Sequence, residues 1–476
     1  MYELSGKTVL VIGLGVSGRS AAALLLRRGA RVCGVDAADT ETLRKETGAL
    51  VRDGATIRLG NLEHPETEFD LAVISPGVPP ALPLVASLKA RGVPLIGELE
   101  LAYRLSACLH VAITGTNGKT TTTEMVESVL TQSGRQTVAA GNIGLPACDV
   151  VEQTRDLDFL TLEVSSFQLE TIEYFRPTVA VLTNLTPDHF DRYASMAEYI
   201  RAKARLFMNQ QLFDWAIVQS EALAQMRSLG LTIPSKTITY SANNRRADLF
   251  LDRGLIVSQM PDWTGPLLSM DQCRVAGPHN AENLMAALAV SRVLRLPLQP
   301  VIAALKKYSP APHRCEPVAE IGGVRFINDS KATNLDATAQ AIRSVAAAPA
   351  GEPNIWLIAG GKDKGFEYHD IGPLLSQRVK GAFLLGETRG KIRAAWSLFT
   401  PCQLVDSLPE AVRHAAEAAR SGDVVLLSPA CSSFDMFRNY QHRGDVFRQT
   451  VLELSQSPAA NRPASSQAKS GQQQNN

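Results

Sequence analysis

The chain has 476 residues, 45% of them hydrophobic and 20% charged, so it can bury several cores and is not a disordered polymer. Lys and Arg number 48 against 47 Asp and Glu; a net charge of +1 argues against a dedicated polyanion binder, and no nucleic-acid partner is expected. No apolar run reaches the roughly 18 residues of a bilayer span, so no membrane insertion is expected, and seven scattered cysteines without a CxxC pair exclude a disulfide scaffold or zinc finger and suit a reducing cytoplasm.

At roughly 150 residues per domain the length suggests three domains. In the first, Lys7–Gly13, Arg31–Asp36 and Phe69–Ser75 read as strands, and Ser17–Arg28 as a helix stopped by Gly29. This βαβ start predicts a parallel sheet. Thr8–Val16 is apolar, but glycines interrupt it, Arg19 follows, and no cleavage site is visible, so it does not read as a signal peptide. Gly13-x-Gly15-x-x-Gly18 follows the first strand and Asp36 ends the second: the dinucleotide fingerprint, with Asp36 placed for a ribose. The same loop suits a nicotinamide cofactor or a uridine diphosphate sugar; tight strand–helix packing without a ligand is the lesser alternative. Glu98–Ser106 reads as helix and leads into a second block.

That block opens with the strand Leu109–Thr114 and then Gly115-Thr116-Asn117-Gly118-Lys119-Thr120-Thr121, ahead of a helix over Thr121–Leu130. Glycines let the backbone curl so that N–H groups converge on an anion; Lys119 adds a point charge and Thr120 a hydroxyl for Mg²⁺. A strict Walker A sequence would have glycine where Ile113 stands. Further strands are expected at Thr137–Ala140, Phe159–Val164, Val179–Leu182 and Trp215–Gln219, and a helix at Ala281–Leu294. Glu163 ends an apolar strand, the usual place for a metal or phosphate ligand. Asn184–Asp191 follows another strand and crowds Asp188, His189 and Asp191 together; His189 is a candidate metal ligand, though magnesium favours oxygen. Lys203 falls on the apolar stripe of Met196, Ile200 and Phe207, either snorkelling to water or serving a site; as a carbamate it would be an anionic ligand.

Pro310 and Pro312 resemble a linker. The third block, from about Cys315 to Leu454, carries strands at Val324–Asn328, Ile355–Ala359, Ala382–Leu385 and Val424–Leu427. Polar loops follow three of them: Asn328–Asn334, Gly360–Lys364 and Ser428–Asp435. Three such loops suggest one anion-binding crevice, with Arg314 in the linker placed to reach a nucleotide. Cys431 has no His partner and reads as a packing residue. Residues 457–476 lack aromatics and large aliphatics and read as a disordered tail.

With these residues quoted, the chain resembles the Mur ligases over about residues 5 to 454. The phosphate loop, Asn184–Asp191 and Asn328–Asn334 match the whole superfamily, while Glu163–Glu170 and Ser428–Gly444 resemble its D-glutamate-adding branch; the Asp-Asn-Pro-Arg signature of the diaminopimelate branch is missing. The resemblance implies an α/β chain with mostly parallel sheets. Its parts would be a Rossmann-like UDP-binding domain (1–106), a P-loop ATPase domain (107–311) and a Rossmann-like amino-acid domain (312–456). It implies ATP and Mg²⁺ as cofactors, and UDP-N-acetylmuramoyl-L-alanine and D-glutamate as substrates joined through an acyl phosphate in peptidoglycan precursor synthesis. A monomer is expected.

Residue by residue, the resemblance puts Lys119, Glu163, His189 and Lys203 in catalysis. Gly115, Thr116, Asn117, Gly118, Thr120, Thr121, Asn280, Asn283, Arg314 and Asp329 would contact ATP, with His313 and Lys331 beside them. Thr120, Glu163, His189 and carbamylated Lys203 would hold the metal. Val16, Ser17, Asp36, Ser75, Gly77 and Asn142 would bind the UDP substrate, and Thr333, Lys364, Ser433 and Tyr440 D-glutamate. Phe is the commoner residue where Tyr440 stands, and Lys362 competes with Lys364. A nicotinamide dehydrogenase, a ligase for another amino acid and a silent nucleotide sensor are the alternatives; the first leaves Lys119, Glu163 and His189 without work.

Overall fold

The computed structural model describes residues 3–62, 68–190, 192–346 and 351–456. Asp191 and the 457–476 tail lie outside them.

Three sheets organise the chain. Short runs rich in β-branched and aliphatic residues build the first: β1 (Thr8–Ile12), β2 (Arg31–Asp36), β3 (Thr56–Leu59), β4 (Leu71–Ile74) and β5 (Leu95–Gly97), with β1 and β4 buried on both faces and the edge strand β3 partly exposed. All pairings are parallel in the order β3-β2-β1-β4-β5, so the order switches direction between β1 and β4. The Val16–Arg27 helix follows β1, and the Glu98–Leu105 helix follows β5 directly.

The second sheet has nine strands: β6 (Leu109–Thr114), β7 (Thr137–Gly141), β8 (Phe159–Glu163), β9 (Val179–Leu182), β10 (Trp215–Gln219), β11 (Lys236–Ser241), β12 (Leu249–Asp252), β13 (Leu255–Ser258) and β14 (Gly265–Ser269). Their order is β14-β13-β12-β11-β10-β9-β6-β8-β7, parallel except for the β12–β13–β14 meander at one edge. The Lys119–Gln132 and Pro278–Val293 helices share its apolar cluster of Val111, Ile113, Val126 and Leu284. Lys119–Gln132 starts two residues before the expected Thr121, because Gly118 caps it and four threonines with low helix propensity disguise its first turn.

The third sheet holds β15 (Glu316–Ile321), β16 (Val324–Asn328), β17 (Ile355–Gly360), β18 (Val379–Leu385), β19 (Cys402–Leu404) and β20 (Val424–Leu427) in the order β15-β16-β20-β17-β18-β19. Only β15–β16 is antiparallel. The mostly parallel α/β architecture expected from the sequence is therefore found. By packing, the described residues fall into two units: the first runs up to Pro187 and resumes over Tyr193–Ser309, carrying the first two sheets; the second joins Asp188–Arg192 to the chain from Pro310 onward. Among the described residues no helix is long and apolar enough to cross a membrane.

Candidate active site

In the first unit the β6 strand delivers the chain into the glycine-rich loop. Gly118 sits at φ +80 as the cap of the following helix, and a Cβ there would lie 2.4 Å from Asn283 Oδ1, so both conformation and space demand glycine. The loop is pinned from the next strand over. Thr116 N–H donates to Asn184 O at 3.0 Å and Asn117 N–H to Asn184 Oδ1 at 2.8 Å, while Thr183 Oγ1 donates to Asn117 O at 2.6 Å. Thr116 Oγ1 also meets Tyr199 OH at 3.1 Å. Lys119 curls back so that Nζ donates to Thr116 O at 2.7 Å. Its charge thus lies over the loop.

Thr120 donates its hydroxyl to Glu163 Oε2 at 2.6 Å, and Asn142 Nδ2 donates to Glu163 Oε1 at 2.8 Å. Strand β8 brings Glu163 beside the loop because β8 pairs directly with β6, Ile113 opposite Glu163. Glu163 is 2% exposed. A buried carboxylate and a hydroxyl side by side are hard oxygen donors, the chemistry Mg²⁺ prefers. Lys203 is buried, and it does not snorkel: Nζ donates to Gly115 O at 2.7 Å and lies 4.7 Å from the Tyr199 ring centroid. The structure thus gathers Lys119, Thr120, Asn142, Glu163 and Lys203 around one loop. Among the described residues no group of three His, Cys, Asp or Glu side chains forms a metal cluster. Asn283 and Asn280 stand in the first turns of the Pro278–Val293 helix, with Asn283 Nδ2 donating to Asn280 Oδ1 at 3.3 Å and Thr122 Oγ1 donating to Asn283 Oδ1 at 3.2 Å. Thr121 is buried in the helix.

The fingerprint loop works at the β1–β4 switch, where parallel sheets leave a crevice. A cleft of about 690 Å³ opens there, lined by Val16, Ser17, Asp36, Ser75, Gly77 and, from the central sheet, Asn142, Gly144 and Pro146. Gly18 serves packing: a Cβ would meet Gly13 O at 1.8 Å. Ser75 Oγ donates to Gly13 O at 2.7 Å. Asp36 accepts Leu14 N–H at 2.6 Å and Ala38 N–H at 2.8 Å, one on each oxygen, so it shapes the loop and keeps further lone pairs for a hydroxyl. In Glu163–Glu170, Ser165 and Gln168 form a capping box, and Gln168 also lines the cleft.

In the second unit, β16, β20 and β17 are neighbours in the sheet, which is why the loops after them meet at one edge. Asp188 accepts from Asn334 Nδ2 at 3.3 Å and pairs with Lys364 Nζ at 3.5 Å; Lys362 points outward and pairs through its backbone with Ser432. His189, at φ +57, lies with its Nε2 3.6 Å from Asp188 Oδ2. Thr333 precedes the Asn334 cap of the Leu335–Ser344 helix, and Ser433 is buried. Asp329 accepts Cys315 N–H at 3.1 Å and Ser428 Oγ–H at 3.0 Å; burial pushes its carboxyl up to about 7 despite the neighbouring Arg314. Lys331 Nζ stacks 4.0 Å from the Tyr440 ring centroid, and His313 meets the same ring edge-on.

The sequence reading passed over Arg443. Its buried guanidinium donates to Ser330 Oγ at 3.0 Å, Ser330 O at 2.8 Å and Cys431 O at 3.1 Å, tying two of the loops together. Its only signal was a charged residue within the polar Ser428–Gly444 stretch. Glu98 and Glu100 were also missed. Glu100 accepts the consecutive N–H groups of Glu173, Tyr174 and Phe175 at 2.9 to 3.0 Å.

This geometry is that of a glycine-rich phosphate loop set between a strand and a helix of an α/β sheet. Three family models cover the chain in order: the Mur ligase MurD-like N-terminal domain over residues 7–97, the Mur ligase middle domain over 113–291 and the glutamate ligase domain over 313–431. The UDP-N-acetylmuramoylalanine–D-glutamate ligase of Acidobacterium capsulatum is 42% identical, covering 94% of this chain and 97% of its own; that of Alkaliphilus metalliredigens is 39% identical, covering 96% and 100%. Among solved structures, the Thermotoga maritima MurF ligase in complex with ADP matches with a TM-score of 0.62 at 15% identity, covering 95% of this chain and all of its own. The MurC of the same organism matches with 0.59 at 18%, covering 94% and 100%. The chain belongs to the Mur ligase family.

Proposed function

We propose that this chain joins D-glutamate to UDP-N-acetylmuramoyl-L-alanine in an ATP-dependent amide ligation that releases ADP and phosphate. The observation that carries the reading is the pairing of Thr120 with Glu163 at the mouth of the phosphate loop, in a chain aligned nearly end to end with relatives bearing that name.

In this reading the substrate carboxylate attacks the γ-phosphorus and ADP leaves. The D-glutamate amine then attacks the acyl phosphate, loses a proton, and expels phosphate. Crowded anionic oxygens must be neutralised throughout. The N–H groups of Gly118 and of the helix turn that follows it, with the Lys119 ammonium, take the β- and γ-phosphates. Thr120 and Glu163, with His189 and a Lys203 carbamate, would hold Mg²⁺, which supplies further positive charge when bound. The carbamate forms when a neutral Lys203 amine bonds to the carbon of CO₂ and sheds a proton. Asn280, Asn283, Arg314 and Asp329 serve the nucleotide. Val16, Ser17, Asp36, Ser75, Gly77 and Asn142 serve the UDP moiety, and Thr333, Lys364, Ser433 and Tyr440 the incoming amino acid. The Asp188 pairing favours Lys364 over Lys362 for this role by holding it at the loop edge. A cytoplasmic monomer acting on these small molecules is the accompanying expectation.

The test is phosphate release with ATP, Mg²⁺ and UDP-N-acetylmuramoyl-L-alanine across a panel of D- and L-amino acids. Release that depends on D-glutamate is expected. Release with another amino acid would keep the ATP chemistry and overturn the amino-acid assignment; no release with any would overturn the ligase reading.

A further inference from the structure

One wall of the nucleotide cleft comes from the loop between β7 and the Ala147–Val150 turn. Its Asn142 end is anchored on its own, Asn142 N–H donating to Glu163 O at 2.9 Å. The other end, Gly144–Pro146, is tied back by one bond, Gly141 N–H donating to Leu145 O at 2.8 Å, and then runs into the turn, whose position depends on what holds it. Two helices do. From the Glu98–Leu105 helix, Glu98 Oε1 accepts Cys148 N–H at 2.7 Å. From the Val16–Arg27 helix, Ser20 donates Oγ–H to Asp149 Oδ1 at 2.5 Å, across 129 residues of sequence. Ser20 lies one turn after Val16 and Ser17, which line the facing wall. This hydrogen bond, beside the exposed Arg27–Glu152 ion pair further along the same helix, joins the element carrying one wall to the element carrying the other, while neither Ser20 nor Asp149 lines the cleft.

We propose that Ser20 and Asp149 are positioning residues that set the separation of the two cleft walls and so the affinity for the substrate's nucleotide, without touching it. The proposal rests on the reading of this cleft as the UDP subsite. Binding to a preformed cleft avoids ordering a wall at the moment of association, and the apparent affinity scales with the fraction of molecules whose wall is already in place. Because Asn142 is anchored separately, loss of the bond loosens the turn at the Pro146 end, where the Glu98–Cys148 and Gly141–Leu145 bonds remain, and leaves the Glu163 end where it is. The effect should fall on nucleotide binding and spare the chemical step.

The probe is UDP, titrated calorimetrically into the full chain and into Ser20→Ala, Asp149→Ala, Asp149→Asn and the double alanine variant. We expect UDP to bind roughly three- to tenfold more weakly to each alanine variant, the loss of one hydrogen bond. The double variant should be no weaker than either single one, since one bond is removed in all three. Asp149→Asn should stay near the parent, because its amide oxygen still accepts. KM for the UDP substrate should rise in parallel, with kcat and KM for ATP within about twofold. UDP bound by the parent and equally by the alanine variants, or additive losses in the double variant, would overturn the proposal alone. A parent chain that binds no UDP would overturn the reading of the cleft, and the proposal with it.

Discussion

Replacing Glu98 by glutamine should stabilise the chain progressively as pH rises. The Glu98 carboxyl is fully buried; Oε1 takes the Cys148 N–H, and Oε2 has no partner among the described residues. The groups around it offer no countercharge: Asp149 on the same turn adds repulsion, Ser20 faces Asp149, and Arg27 of the neighbouring helix acts on Cys148 and pairs with Glu152. Burial therefore pushes its pKa from 4.5 to about 7. The folded chain holds this proton more tightly than the unfolded one, so stability is lost as pH climbs through that interval and levels off above it. The whole interval, about 2.5 units, is worth about 3 kcal/mol; between pH about 5.5 and about 8 the part still to be lost is about 2 kcal/mol. Glutamine keeps the acceptor and does not titrate. Urea unfolding of both proteins at the two pH values measures the difference, and the titrations of His110, His279 and Asp329 cancel because both share them. The stability of E98Q relative to the parent should rise by about 2 kcal/mol across that range. A relative stability flat to within about 0.5 kcal/mol would refute the argument that a buried, protonated carboxyl caps this turn.

Lys119→Ala should lower turnover by about a thousandfold or more in the phosphate-release assay, since it removes the ammonium that lies over the loop; near-parental turnover would remove the phosphate-loop assignment. Lys203→Ala should be equally inactive, and formate or acetate should restore part of the activity if a carbamate is the working form. An unmodified amine in the mass spectrum of fully active enzyme would refute it. Glu100→Ala should cost about 3 kcal/mol, because three N–H groups of one turn, that of buried Phe175 among them, lose their acceptor together and Arg104 keeps only Glu173. A shift under about 1 kcal/mol in urea unfolding would show that water replaces the carboxylate.

The phosphate loop and the Rossmann-like start were readable because their signals are local: glycine spacing, a strand before and a helix after. The three polar loops of the last sheet were readable one at a time, and the β16–β20–β17 neighbourhood that unites them is the ordinary outcome of parallel winding. What escaped was set by distant partners. Nothing near Glu98 or Glu100 announces burial, since the backbone groups they cap lie 50 and 73 residues further on. The β12–β14 meander escaped because its strands are short, only four or five residues each, with β12 and β13 separated by no more than Arg253 and Gly254. Lys203 showed its place on the apolar stripe, but its acceptor, Gly115 O, belongs to a loop 88 residues earlier.

The Glu98–Leu105 helix has a bearing on how members of such a family could exchange parts. Sequence alone would place a seam near residue 106, and a graft cut there would carry Glu98 and Glu100 away with the N-terminal piece. The recipient would keep the N–H groups of Cys148, Glu173, Tyr174 and Phe175 with no acceptor, and the donor two carboxylates stripped of their burial. The first sheet and its closing helix are therefore portable only together with a matching pair of turns in the host.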